Sequence, residues 1–126
     1  MWAVEVAWAT QEASMFLSNP VVIGETLFGF SHRNSGQFFA IDASTGTVLW
    51  LDRPRRATNS ALVKADDLLF MLNDDAELIV ARSSRTGFEP LTQYRVADSA
   101  TWAQPAISGT RIFIKDVSSI ALLTVH

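Results

Sequence analysis

Hydrophobic residues along this chain come in short runs of four to seven, each stopped by turn-forming residues, and no stretch sustains the i, i+3, i+4 spacing of an amphipathic helix. The clearest stretch has four such runs. Pro20-Val21-Val22-Ile23 stops at Gly24-Glu25, and Leu27-Phe28-Gly29-Phe30 stops at Arg33-Asn34-Ser35-Gly36. Gln37-Phe38-Phe39-Ala40-Ile41-Asp42 stops at Ser44-Thr45-Gly46, and Thr47-Val48-Leu49-Trp50-Leu51 closes the unit. The pattern predicts four strands joined by three tight turns, an antiparallel meander.

The same order of elements returns twice, and internal repetition is the strongest guide to architecture that a single sequence offers. Ser60–Val63, Leu68–Leu72, Leu78–Ala81 and Leu91–Tyr94 take the four strand places of a second unit, with Ala65-Asp66-Asp67 and Asn73-Asp74-Asp75 as turns. Pro105–Ile107, Arg111–Ile114 and Ile120–Leu123 give three strands of a third. At the other end, Trp2-Ala3-Val4-Glu5-Val6 reads as an outer strand without inner partners. The expected organisation is therefore all-β: an outer strand at 2–6, four-stranded units at 18–52 and 58–96, and a unit at 103–126 completed by an outer strand such as 2–6.

Composition narrows the class. The 126 residues carry a net charge of −3 and 48% apolar residues, which excludes intrinsic disorder. Charged residues are 18%, below the roughly 25% of ordinary domains. That shortfall suits sheets covered on both faces, and it predicts two apolar outer faces that the chain cannot cover alone. There is no cysteine, so no disulfide, thiolate nucleophile or Cys-type zinc site can form. No apolar run is long enough for a membrane-spanning helix, the first residues lack the basic start of a signal peptide, and the acidic balance gives no bias toward nucleic acid.

The most specific segment is Ala40-Ile41-Asp42-Ala43-Ser44-Thr45-Gly46-Thr47-Val48-Leu49-Trp50. It resembles the tryptophan-docking motif of the PQQ-type (quinoprotein) β-propellers, Ala-x-Asp-x-x-x-Gly-Lys-x-x-Trp with Glu often after the Lys. Ala40, Asp42, Gly46 and Trp50 match, while Thr47 and Val48 depart. In the second unit Ala81, Gly87 and Glu89 match, whereas Ser83 and Leu91 stand in the Asp and Trp places. In the third, Ala121 matches, and Trp2 is assigned the place that Trp50 holds in its own unit. From Trp2 to Trp50 is 48 residues and from Trp50 to Leu91 is 41, consistent with a four-stranded propeller blade per repeat. The resemblance implies three blades, and a motif that cements blade to blade: Gly46 in a tight turn, Asp42 accepting turn amides, Trp50 presenting a flat face to its neighbour.

Closed propellers have four to eight blades, so three imply completion from elsewhere. Either this is part of a larger propeller, which a start in mid-blade favours, or identical subunits assemble, two copies making six blades or three making nine. The partners expected are thus other propeller blades, from further chain or from identical subunits, and beyond them a protein or small-ligand partner. The resemblance implies a non-catalytic scaffold or protein-binding module in the periplasm or cell envelope of a bacterium, similar to the lipoprotein of the outer-membrane β-barrel assembly machinery or to sensory propellers. Its rival is a portion of a PQQ-dependent alcohol or sugar dehydrogenase. Such enzymes hold the quinone under a vicinal cysteine disulfide with calcium and an aspartate. With no cysteine here, no cofactor is expected, and PQQ with calcium belongs to the rival alone.

No catalytic residue is assigned. Nucleophile elbow, phosphate loop and zinc signatures are all missing, and there are two histidines, His32 and His126. The acidic pairs Asp66-Asp67 and Asp74-Asp75 read as hairpin turns, without the spacing of a calcium loop. In a propeller the turns between second and third strands share one face of the disc with the links between blades. That brings His32, Arg33, Arg53, Arg55, Arg56 and Trp102 together as a candidate binding face for an anionic ligand or acidic partner, against the alternative of loop charge that only solubilises. Trp8, Met15, Phe16 and Trp102 are expected to pack beneath their own connections.

Overall fold

A computed structural model describes residues 2–125. Eleven strands form three antiparallel meanders: β1 Val21–Ile23, β2 Thr26–Ser31, β3 Gln37–Asp42 and β4 Val48–Leu51; β5 Ser60–Ala65, β6 Leu68–Asn73, β7 Glu77–Arg82 and β8 Glu89–Arg95; β9 Ala106–Ser108, β10 Arg111–Lys115 and β11 Ile120–Thr124. A 3-10 turn, Arg33–Ser35, joins β2 to β3. Neighbouring strands are consecutive in sequence throughout each sheet, so every connection within a blade is a local turn.

The repeat is visible in the register. Phe28 faces Ala40 across β2–β3, Leu69 faces Ala81 across β6–β7, and Ile114 faces Ala121 across β10–β11. A bulge breaks the last pairing of both four-stranded blades, beside Ala40 in one and Ala81 in the other. Such an extra residue bends the outer strand and strengthens its twist.

The sheets stack face to face. Phe28, Phe30, Phe38 and Ala40 of the first blade interlock with Leu62, Leu69, Met71, Ile79 and Ala81 of the second in one buried cluster. Phe70, Leu72, Leu78 and Val80, on the opposite face of the second blade, pack on Ile112 and Ile114 of the third. The middle blade is thus buried on both sides, and β6 and β7 need apolar residues at successive positions instead of alternating ones. Inner strands lie side by side: the Lys64 ammonium on β5 donates to the Val22 carbonyl on β1 at 2.8 Å. The blades therefore converge along their first strands.

Two expectations are corrected. Residues 2–6 are not a strand; Trp2, Val4 and Val6 are 100%, 99% and 81% exposed, and the third blade has three strands. The segment that follows, through Trp8 and Ala13, is held against Phe39 and Ile41 of the first blade. The edge of β11 belongs to the third blade, with the second blade between it and this segment. The same contacts cover much of one of the two outer faces expected to be bare. The other is open: Ile120 and Leu122 are 73% and 53% exposed.

Candidate functional site

Two ends of the blade stack matter, and antiparallel order assigns each turn to one of them. The β3–β4 and β7–β8 turns carry the motif residues. Asp42 Oδ1 accepts from the Ser44 amide at 3.0 Å, the Ser44 hydroxyl at 2.6 Å and the Thr45 amide at 3.1 Å, which ties the turn to itself. Gly46 closes the turn at φ +76, and a Cβ there would lie 2.6 Å from the Trp8 indole, so both backbone and neighbour require glycine. Gly87, the matching residue one unit later, has open space around it and no left-handed φ. Its neighbour Phe88 instead fills the blade junction, its ring centroid 6.1 Å from Trp50 and 5.3 Å from Phe38.

The Trp50 indole N–H donates to the Ser84 carbonyl at 2.8 Å, reaching from the first blade to the motif turn of the second. Trp8 makes the equivalent bond to the Ala43 carbonyl at 2.9 Å. Ala43 and Ser84 occupy the same place in successive units, directly after the Asp and Ser of the motif. Trp8, 42 residues before Trp50, is therefore the residue that does for the first blade what Trp50 does for the second, and Trp2 is not. The 42-residue spacing from Trp8 to Trp50 is the signal in the sequence, close to the 41 residues from Trp50 to Leu91, whereas the alternation at 2–6 resembles a strand. Arg85 adds a second clasp, with Nη2 2.6 Å from Asp42 Oδ2 and Nη1 donating to Thr26 Oγ1 at 2.6 Å. The Ser44 hydroxyl and then Arg85 hold the Asp42 carboxyl well below the usual carboxylate range.

The opposite end is the expected binding face, and the structure divides it. His32 and Arg55 line a cleft of about 600 Å³ with Phe16, Ala57, Asp74 and Asp75. Phe16 is 76% exposed, its ring 6.0 Å from His32, so it does not pack beneath its loop as expected. Arg56 is withdrawn from the face. Its guanidinium pairs with both Asp52 oxygens at 2.7 and 2.8 Å and stacks 5.0 Å from Phe88 and 5.7 Å from Phe38. Aromatic residues from two blades thus offer it a better site than solvent. Arg33 is engaged too, donating from Nη1 to the Gln11 carbonyl. Arg53 is exposed, and Trp102 is 47% exposed and stands outside the cleft.

Asp74 has a structural task. Its Oδ1 accepts from the amides of Thr58 and Asn59 at 3.1 and 2.9 Å, pinning the link into β5 onto the β6–β7 turn. Thr101, buried at 1%, secures the same turn from the next link by donating to the Asn73 carbonyl at 2.6 Å. The cleft thus lies beside a turn held from two links, and Arg55, His32 and Asp75 are among its lining residues. Among the described residues no three His, Cys, Asp or Glu side chains come together as a group that could hold a metal ion.

No protein-family model matches the chain, and no curated protein sequence does. Among solved structures it is similar to BamB from Moraxella catarrhalis, with a TM-score of 0.61 and 21% identity over 85% of this chain. The chain spans 31% of that neighbour's length. Together with the stacked meanders and convergent inner strands, this likeness shows the fold: two four-stranded blades and one three-stranded blade, in sequence, of a β-propeller.

Proposed function

We propose that this chain is a non-catalytic scaffold and binding arc of the PQQ-like repeat class, with the cleft between its first two blades as the recognition surface. The observation that supports the class is the pair of indole bonds, Trp8 to Ala43 and Trp50 to Ser84, made at matching places one repeat apart. That is the blade-to-blade docking the motif resemblance implies. The cleft supports recognition of a peptide segment: Phe16 offers an apolar surface and Arg55 a cationic group to an acidic side chain, while Asp74, which also lines the cleft, is engaged by the Thr58 and Asn59 amides. Because Arg56 and Arg33 are engaged within the protein, the acidic preference rests on Arg55, the cationic side chain in the cleft, set against Asp75. A periplasmic or envelope location follows from the resemblance and belongs to this proposal.

The test is titration with a labelled Glu-rich peptide carrying one aromatic residue. Binding is expected to weaken about tenfold with Arg55→Glu and to fall with added salt. Equal binding by the charge-reversed protein would remove the cleft from the proposal. Dye reduction by an alcohol or sugar after reconstitution with PQQ and calcium would overturn the non-catalytic reading in favour of a quinoprotein dehydrogenase portion.

A further inference from the structure

The cleft between the first two blades carries opposite charges on its two sides, and they are not paired with each other. On the first-blade side stands Arg55. Its amide donates to the Asn34 carbonyl at 3.0 Å, and the next amide, of Arg56, donates to the Gly36 carbonyl at 3.0 Å, so this link is stitched to the turn between β2 and β3. The stitching holds Arg55 at φ +59, a left-handed conformation that residues other than glycine rarely adopt. On the second-blade side, the β6–β7 turn supplies Asp74 and Asp75. Asp74 uses Oδ1 for the Thr58 and Asn59 amides, while Asp75 is exposed. The ion pairs among the described residues are Asp52 with Arg56 and Asp42 with Arg85, and neither includes Arg55 or Asp75.

A second feature lies at the acidic side. Ser60 and Asn73 are the outermost opposed pair of β5 and β6, on the same face as Leu62 and Met71, which pack against the first blade. Both are buried, yet Ser60 Oγ and Asn73 Oδ1 have no hydrogen-bond partner among the described residues. They lie within two residues of Thr58 and Asp74, which line the cleft. Buried polar atoms are nearly always paired, so two at one place call for a group that serves both. An amide oxygen only accepts and a hydroxyl can accept, so that group is a donor. With carboxylates beside it, an ammonium or guanidinium fits better than a neutral donor.

We propose that the cleft reads two opposite charges on one peptide segment: an acidic side chain pairs with Arg55, and a basic side chain lies against Asp75 with its head directed to Ser60 Oγ and Asn73 Oδ1. This rests on the cleft being the recognition surface, and it sharpens the ligand from an acidic peptide to one that bears a carboxylate and a cation together. A purely acidic segment brings like charge to Asp75 and a purely basic one brings it to Arg55, so the arrangement selects against both.

Fluorescence anisotropy on the full chain tests this with three labelled peptides that share one aromatic residue and carry Glu with Lys, Glu with Gln, or Gln with Lys. The Glu-Lys peptide should bind about tenfold tighter than either of the others. Asp75 Oδ1 accepts from the Glu77 amide at 3.3 Å, a bond that Asp75→Asn can keep. That variant should cut the advantage of Lys over Gln to about twofold, while the Glu-Gln peptide binds as well as before or better. Ser60→Ala removes an unpaired hydroxyl and should reduce the same advantage about threefold, again without weakening the Glu-Gln peptide. A Glu-Gln peptide that binds the parent chain as tightly as Glu-Lys overturns the two-charge reading and leaves acidic recognition by Arg55 standing. A Lys advantage that survives both substitutions also overturns it, because the cation is then read elsewhere. If none of the three peptides binds, the cleft is not the recognition surface and both readings fall.

Discussion

The two blade junctions in this protein are built differently. Between the first and second blades, Trp50 crosses to the Ser84 carbonyl, Phe88 returns to contact Trp50 and Phe38, and Arg56 covers the aromatic cluster while paired to Asp52. Arg85 pairs with Asp42 at the motif end of the same junction. Between the second and third blades the tryptophan place holds Leu91, which is 48% exposed, and a cleft separates β8 from β11. Both junctions have an aliphatic core near the inner strands. What distinguishes them is the outer half, where a fourth strand and its indole either seal the stack or leave it open. The inner strands therefore hold both pairs of blades together, and the outer half, with its tryptophan bond in one and a cleft in the other, sets the two junctions apart.

The comparison can be broken most sharply at its centre. Trp50→Ala should cost about 3 kcal/mol, because it removes a large aromatic contact, leaves a cavity and orphans the Ser84 carbonyl; urea denaturation would measure it, and a loss below about 1 kcal/mol would mean that the indole does not seal the junction. Arg56→Met should cost about 2 kcal/mol, since the stem's packing is kept while Asp52, whose side chain is 7% exposed, loses its partner. A cycle with Asp52→Asn would separate the ion pair from the stacking. Trp8→Phe keeps an aromatic ring on Gly46 but removes the bond to the Ala43 carbonyl, so a loss of about 1 kcal/mol is expected.

Acid should act on the Asp42 clasp of the sealed junction and on the Asp116 turn of the third blade. The Asp42 carboxyl is held below its ordinary value by the Ser44 hydroxyl and Arg85. A lowered folded-state pKa means that its stabilising contribution is present above the ordinary carboxylate range, about pH 4, and declines as the pH falls below it. Asp116 is shifted the same way by the Ser118 and Ser119 amides. Asp42→Asn should therefore flatten part of the acid-side decline in thermal midpoint, and an unchanged profile would show that the clasp contributes nothing. The smallest effect is reserved for the open junction. Leu91→Trp, which restores the motif residue, should alter stability by less than about 0.5 kcal/mol in urea denaturation, because among the described residues no fourth strand stands beside β11 for the indole to cover.

Much of this was legible in the residues. Run lengths and turn residues located the strands of all three units to within a few positions, because hairpin turns have local chemistry: Gly46 at positive φ and Asp42 capping its own turn are consequences of nearby sequence. The candidate face was less legible. Arg56 shares one link with Arg53 and Arg55 in the sequence, but Phe88, 32 residues away, decides that Arg56 turns inward. Phe16 has the bulk of a packed residue, yet the cleft leaves it in solvent.

The sequence by itself determined the meanders, their repetition and the all-β class, since alternation, turn chemistry and a repeat of about 40 residues are properties of neighbouring positions. Only the tertiary structure decided which tryptophan docks, which arginines remain free and whether residues 2–6 form a strand. Those outcomes depend on where distant segments meet: Trp8 is placed by the Gly46 turn and Arg56 by rings from two blades, and residues 2–6 find no strand to pair with.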